Sequence, residues 1–216
     1  CVIGQHLLYT DDDVKNPFCA VVASDLYLPK SWDQDRERCR RAGIPEELTH
    51  RPTWKIGVEQ IKRTLAQGLR FDYVTYDEEY GKVPAFLYEL DQLGQKAIGE
   101  VPRNFRVWIQ RPACRSHRAE HASRRVDNLV SHSPTFYGQS WRKMVIKDTT
   151  RGPCLWHIKS AQVYLVRHEG GKAHCPVPTD RMYWLIVAHN RHTGEKKYFV
   201  SNAPAKEKLE TLMEIA

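Results

Sequence analysis

The run "RFDYVTYDEEYG", Arg70 to Gly81, sets an alternating aromatic and β-branched segment against three consecutive acids and a glycine. In "FDYVTY", Phe71, Tyr73 and Thr75 face one way and Asp72, Val74 and Tyr76 the other, the pattern of a strand in an internal sheet. Asp77 then falls at the strand's carboxyl end, where open α/β sheets place their ligands. A carboxylate there suits a hard cation such as Mg²⁺, which prefers oxygen ligands and commonly takes one or two carboxylates. On pattern alone, an aspartate that only caps the following helix is the favoured reading of this position.

A second chemical feature is the stretch "RNFRVWIQRPACRSHRAEHASRR", with Arg103, Arg106, Arg111, Arg115, Arg118, Arg124 and Arg125 against the single acid Glu120. Guanidinium forks can neutralise phosphates while the interleaved Phe105 and Trp108 pack or stack on bases. A solvated basic loop is the alternative, because a run of charge specifies no partner. Within it, Cys114, His117 and His121 stand at i, i+3 and i+7, a spacing that could align three zinc ligands on a helical face. The surrounding arginines and the lack of an evident fourth ligand argue against zinc. Cys39 has no acid–base partner nearby in sequence, and His189 and His192 flank a turn as surface residues. The sequence holds no GxxxxGK[ST], GxGxxG or GxSxG, so the usual signals of nucleotide hydrolysis, dinucleotide redox chemistry and serine hydrolysis are missing.

The elements that must position these residues follow a readable order. "CVIGQHLLYT" and "PFCAVVASDLYLP" predict a hairpin across the acidic turn Asp11 to Asp13. "SWDQDRERCRRAGIP" predicts a short helix with Ser31 as N-cap and Gly43 and Pro45 as its stop. Thr53 is the expected cap of a longer helix with Trp54, Val58, Ile61 and Leu65 on one face and Gly68 just past its end. After the Asp77 strand, Pro84 opens a helix bearing Phe86, Leu87, Leu90 and Leu93, which Gly94 ends. "KAIGEVP", "FRVWI", "CLWHIKSAQVYLVRH", "DRMYWLIVAH" and "GEKKYFVSN" read as strands, joined by Gly170-Gly171 and by the His192 to Gly194 turn. "PAKEKLETLMEIA" reads as an incipient helix with Leu209, Leu212, Met213 and Ala216 on one side, whereas 126–150 carries few signals. A hairpin, then helix, strand, helix and strand, indicates an α/β sheet with a crossover connection.

Composition bounds the class. With 216 residues, 41% of them apolar, the chain can bury one sizeable core or a core plus a subdomain. A net charge of +7 favours polyanion partners without specifying one. There is no apolar run of membrane-spanning length and no signal-peptide pattern, so a cytoplasmic location without membrane contact is expected. Six cysteines without a CxxC pair fit free thiols in a reducing compartment. A first residue that is Cys rather than Met suggests a fragment or a processed chain.

The runs "DLYLPKSWDQDRERCRRAGIPEE", "GLRFDYVTYDEEYGKVPAFLYELDQLGQKAIGEVPRN" and "YFVSNAPAKEKLETL" resemble the catalytic domain of bacterial insertion-sequence transposases of the DDE class. The resemblance is strongest from Asp25 to Asn104 and weaker from Val126 to Asp180. It implies an RNase H-like mixed sheet with flanking helices and a β-rich insertion in the C-terminal half. The implied division is a partial core over 1–125, the insertion over 126–204 and the start of a core helix over 205–216. It also implies Mg²⁺-dependent cleavage of double-stranded DNA at transposon ends and joining to a target, by a dimer or higher multimer on nucleoid DNA. In that family two aspartates and a glutamate hold two metal ions that activate water or a 3′-hydroxyl. The second aspartate falls on Asp77, with Glu78, Tyr80 and Gly81 also matching. The first aspartate would precede Cys1 and the glutamate would follow Ala216, so the chain alone is expected to be inactive or severely impaired. A non-catalytic DNA-binding remnant, and an unrelated α/β protein in which Asp77 only caps a helix, are the alternatives.

Overall fold

The computed structural model describes residues 3–11, 17–115, 118–149, 152–168 and 176–216, with the side chains of 118, 146–149 and 152–154 outside that description. The chain divides into two units, Cys1–Asp72 and Tyr73–Ala216.

In the first unit, β1 (Ile3–Asp11) and β2 (Phe18–Tyr27) pair antiparallel, with a register shift at Leu7/Leu8. This is the expected hairpin; the acids of its turn beyond Asp11 lie outside the described residues. The single charged helix expected next is instead two short ones, α1 (Lys30–Asp33) and α2 (Arg36–Arg41). Ser31 is inside α1 and caps nothing; the side-chain cap is Asp35, whose Oδ1 accepts from Arg38 N at 3.0 Å and starts α2 afresh. Gly43, at φ 68°, adopts the left-handed conformation that ends α2. Leu28, Cys39 and Ile44 form a small core with Trp32 and Leu48, and the Cys39 thiol donates to Trp32 O at 3.2 Å.

Helix α3 (Thr53–Ala66) begins at Thr53 itself, so Thr53 is not its cap; Pro52 holds the N-cap position without a side-chain bond. Its buried face includes Val58 and Ile61 as expected, while Trp54 and Leu65 are only half-buried and Gln60 and Thr64 are buried. Polar pairing explains Gln60, whose Nε2 donates to Gln5 O at 2.9 Å and to Asp25 Oδ2 at 3.0 Å. Burial alone would raise the Asp25 carboxyl, but hydrogen bonds from Arg63 and Gln60 and the charges of Arg63 and Arg51 hold it below the usual carboxylate range.

The second unit begins with β3 (Val74–Tyr76), α4 (Glu78–Gly81), α5 (Pro84–Gln92), β4 (Ala97–Val101) and β5 (Arg106–Trp108). Short strands β6 (Cys114–Arg115), β7 (Arg118–Ala119) and β8 (Arg124–Arg125) follow, then helices α6 (Val126–His132) and α7 (Pro134–Tyr137). The chain continues through β9 (Arg142–Thr149), β10 (Gly152–His168), β11 (Pro176–Pro178), β12 (Tyr183–His189) and β13 (Lys196–Ser201) to α8 (Leu209–Ile215). The main sheet runs β3-β4-β13-β12-β10-β5-β8, with β9 and β11 also pairing with β10. Only β3 and β4 are parallel, joined through α4 and α5, while the other described pairs are antiparallel. The sheet is therefore mixed, and its C-terminal half is β-rich as expected.

Two details differ from expectation. Strand β3 stands at the end of the strand order and spans three residues, so Phe71 to Tyr73 are not part of it. Helices α6 and α7 occupy the segment that carries few sequence signals. Leu209, Leu212 and Met213 of α8 pack on Ile98, Ile158, Ile186, Ala188 and Phe199, covering the sheet with the face read from the sequence, although Ala216 is exposed. Among the described residues, Cys19, Cys39 and Cys114 are free cysteines, and no helix is long and apolar enough to cross a membrane.

Candidate active site and phosphate groove

Asp77 stands where the sequence places it, immediately after β3 and at the N-cap of α4. Its Oδ1 accepts from Glu79 N at 3.1 Å and Tyr80 N at 3.4 Å, so the capping reading is realised. Both bonds use one oxygen, and Oδ2 meets no protein donor among the described residues. The carboxylate is exposed. The cap thus fixes its direction and leaves one oxygen available, which fits a single ligand to a hard cation. Among the described residues no group of three or more His, Cys, Asp or Glu side chains could hold a metal ion.

Two glycines hold this corner against β4. A Cβ on Gly81 would lie inside contact distance of the Glu100 carbonyl oxygen, 2.9 Å from its carbon and 3.2 Å from Val101 Cγ1. A Cβ on Gly99 would run into the Tyr76 ring. Both glycines are therefore close-approach residues that let α4 and β3 sit directly on β4. Tyr76 and Tyr80 each pack a ring against Phe86 of α5, at centroid separations of 5.2 and 5.0 Å. Burial pushes the Tyr76 phenol far up, and burial with the charges of Asp77 and Glu79 raises Tyr80. Neither hydroxyl is suited to proton transfer near neutral pH.

On the far end of β4, Asn202 ties the strand down. Its Oδ1 accepts from Ala97 N at 2.6 Å, and its Nδ2 donates to Gln95 O at 2.9 Å and Asp91 Oδ1 at 3.2 Å. Arg181 bonds Asp91 Oδ1 at 2.5 Å and Asn202 O at 2.7 Å, and Tyr183 OH donates to Asp91 Oδ2 at 2.9 Å. The residues lie in distant stretches of sequence, so their association has no local signal.

Glu78, the residue after Asp77, opens a groove of about 560 Å³ whose lining includes Glu100, Arg103, Asn104, Arg125 and Lys196. Glu100 is occupied by Lys197 at 2.9 Å, a bond that raises the lysine against the opposing effect of burial. Arg125 pairs with Asp127 at 2.6 Å. Burial would raise Asp127, but the Arg125 and Asn128 hydrogen bonds and the charges of Arg125 and Arg103 hold it low. Arg103 and Lys196 are exposed and have no ion-pair partner among the described residues. Among the described residues the groove thus carries two cations outside any ion pair, Arg103 and Lys196, in a lining they share with Glu78. Asn104 and Lys196 escape a reading of the sequence because neither stands out there as part of a motif.

The arginine stretch is not one uniform surface. Arg106 bonds Ser123 through Oγ at 3.0 Å and through its carbonyl. Arg111 pairs with Asp180 at 3.3 Å and Arg115 with Glu120 at 2.8 Å. Arg124 bonds Asn128 Oδ1 at 2.6 Å. The Arg118 side chain lies outside the described residues. Phe105 and Trp108, expected as packing or base-stacking rings, are buried, and the Trp108 indole donates to His121 O at 2.9 Å. The apolar bulk of both rings is used in the core, where its burial is worth more than exposure to solvent. Cys114 lies in the β6–β7 hairpin rather than on a helix, which removes the geometry behind the zinc spacing; His117 lies outside the described residues. His192 is exposed in its turn, whereas His189 is half-buried at the end of β12.

Compared with known protein families, residues 1–160 match the family described as "DDE superfamily endonuclease". No curated protein matches the chain significantly.

Proposed function

Because the chain belongs to the DDE superfamily of endonucleases, we propose that it is part of a transposase that cuts double-stranded DNA at transposon ends and joins the ends to a target. The fold is the RNase H-like mixed α/β sheet with flanking helices. The proposed organisation within it is a partial core over 1–125, a β-rich insertion over 126–204 and the start of a core helix over 205–216.

The observation that carries the reading is Asp77, oriented at the carboxyl end of β3 by its own cap, with the next residue, Glu78, lining a groove that holds Arg103 and Lys196. In the proposed site Asp77 is one metal ligand, through the oxygen its cap leaves available, and the preferred ion is Mg²⁺. Bound ions would supply Lewis acidity and lower the pKa of a bound water. Arg103, Lys196 and, among the remaining arginines, Arg125 position the DNA backbone. Arg106, Arg111, Arg115 and Arg124 are proposed as outer DNA contacts, with their local partners exchanged for phosphate on binding, and Arg118 is proposed as a further one. A two-metal centre needs more carboxylates than Asp77, and no group of three or more His, Cys, Asp or Glu ligands is present among the described residues, so cleavage is proposed to be severely impaired.

Nicking of supercoiled plasmid with and without Mg²⁺ tests this. Little cleavage is expected, with DNA binding that weakens steeply as salt rises. Robust cleavage abolished by Asp77→Asn would overturn the proposed inactivity and support the ligand role. Robust cleavage indifferent to that change would overturn the role of Asp77. A lack of DNA binding at low salt would overturn the nucleic-acid reading altogether.

A further inference from the structure

Lys159 is a buried lysine that the site at Asp77 does not use. It is 7% exposed, its Nζ donates to Phe136 O at 2.6 Å, and it stands 4.6 Å from the centre of the Trp141 ring. An ammonium carries three donors, and here no carboxylate among the described residues pairs with it. Burying a cation is costly unless it is compensated, and a carbonyl with an aromatic face compensates only in part.

Lys159 lines a groove of about 550 Å³ whose walls also include Arg142, Lys206 and Lys208. The groove's two carboxylates are already engaged. Glu207 accepts from Tyr73 OH at 2.9 Å and pairs with Lys96 at 3.6 Å, while Glu210 pairs with Arg142 at 3.7 Å. Lys206 and Lys208 are exposed and without an acidic partner among the described residues. The wall is built in advance. Gln139 Nε2 donates to Ser160 O at 3.0 Å and Thr135 O at 2.6 Å, and its Oε1 accepts from Ser160 N at 3.4 Å.

We propose that this groove binds the phosphodiester backbone of a nucleic-acid strand, with the Lys159 ammonium as the cation at its base and Lys206, Lys208 and Arg142 along its rim. A phosphate oxygen supplies the counter-charge that Lys159 lacks and accepts its remaining donors. The choice of a strand over free phosphate rests on the nucleic-acid reading of the chain; the anion site itself rests on Lys159 and its groove. Lys159 also satisfies the Phe136 carbonyl in the last turn of α7, a purely structural service that a bound strand would not require.

The test is binding of a labelled DNA duplex to the full chain in EDTA, so that cleavage plays no part. The exposed triple variant Arg142→Gln, Lys206→Gln, Lys208→Gln should weaken binding about tenfold or more at moderate salt. It should also lower the slope of log affinity against log salt by about 0.9 for each phosphate that is no longer neutralised. Lys159→Met should weaken binding further, and Lys159→Arg should retain most of it, while the exposed control pair Lys30→Gln, Lys55→Gln leaves affinity unchanged. Unchanged affinity and salt slope in the triple variant overturn the proposal, whatever Lys159→Met does to folding. Competition by inorganic phosphate in the parent, with duplex binding indifferent to the groove variants, also overturns the strand assignment. The two readings fail differently: no duplex binding at low salt overturns the nucleic-acid reading itself, whereas salt-dependent duplex binding indifferent to the groove variants overturns this groove alone.

Discussion

Gly81 is the most exacting residue of the corner that carries Asp77, and Gly81→Ala should show it. The added methyl must displace the Glu100 carbonyl, whose carbon would stand at 2.9 Å and whose oxygen would be nearer still. Ordinary contact to that carbon needs at least roughly half an ångström more, and the obstacle is strand backbone rather than a side chain that can swing away. Overpacking of this kind costs about 1–3 kcal/mol, and the rigidity of β4 argues for the upper end. Alanine returns about 1 kcal/mol of helix propensity in α4, leaving a net loss of about 2 kcal/mol. For a chain of this size that is a fall in Tm of about 4–8 °C. Since α4 must lift from β4, the Asp77 cap loosens with it, and the amides of Glu79 and Tyr80 should exchange faster in hydrogen-exchange measurements. A variant with Tm within about 1 °C of the parent and unchanged exchange at these two amides would refute the close-approach argument.

Asn202→Ala leaves Ala97 N, Gln95 O and Asp91 short of a partner, and should cost about 2–4 kcal/mol in urea denaturation; a loss below about 0.5 kcal/mol would contradict the network. Asp25→Asn removes the charge that holds Arg63, and should cost about 1–3 kcal/mol at neutral pH. Because Asp25 is held low in the folded state, its contribution is present above the ordinary aspartate value and lost as pH falls through the folded one, so Asp25→Asn should flatten the acid limb of a stability profile. Burial and the charges of Lys196, Arg191 and His157 hold His189 below the ordinary histidine value of 6.5. Stability is therefore complete above that value and declines as pH drops through the folded one, and His189→Asn should reduce the loss between neutral pH and about pH 5 in thermal melts.

The reach of the sequence follows the range of the interactions concerned. The hairpin, α3, α5 and most of the strands announce themselves through periodicity and through glycines at helix ends, because those signals are local. Gly43, Gly68 and Gly94 take positive φ where a helix stop is expected. The Ser31 and Thr53 caps fail by a few residues, since Asp35 and Pro52 compete for the same starts and cap choice turns on single hydrogen bonds. Helices α6 and α7 are short and rest on packing, as the complete burial of Phe136 indicates, so periodicity could not reveal them. At the candidate site Asp77 is legible because strand, acid and glycine are contiguous. Asn104, Lys196 and Asn202 are not, because each acquires its surroundings from strands distant in sequence.

The cap at Asp77 is compatible with the proposed ligand role, because the two would use different oxygens of one carboxylate. A cap needs one carboxylate oxygen aimed at the backbone of the next turn, and Asp77 gives it Oδ1. A metal ligand needs one oxygen held in a fixed direction, and a side chain pinned through its other oxygen is already oriented. Asparagine keeps the first function almost intact, since it ranks with aspartate as an N-cap, and it loses the negative charge that the second requires. The observed cap and the proposed ligand role therefore separate by substitution even though they would share one side chain. The Glu79–Lys82 pair at 2.6 Å neutralises the acid that capping does not use. The run of negative charge after β3 accordingly divides by role, with Asp77 fixed by its cap, Glu79 paired and Glu78 facing the groove.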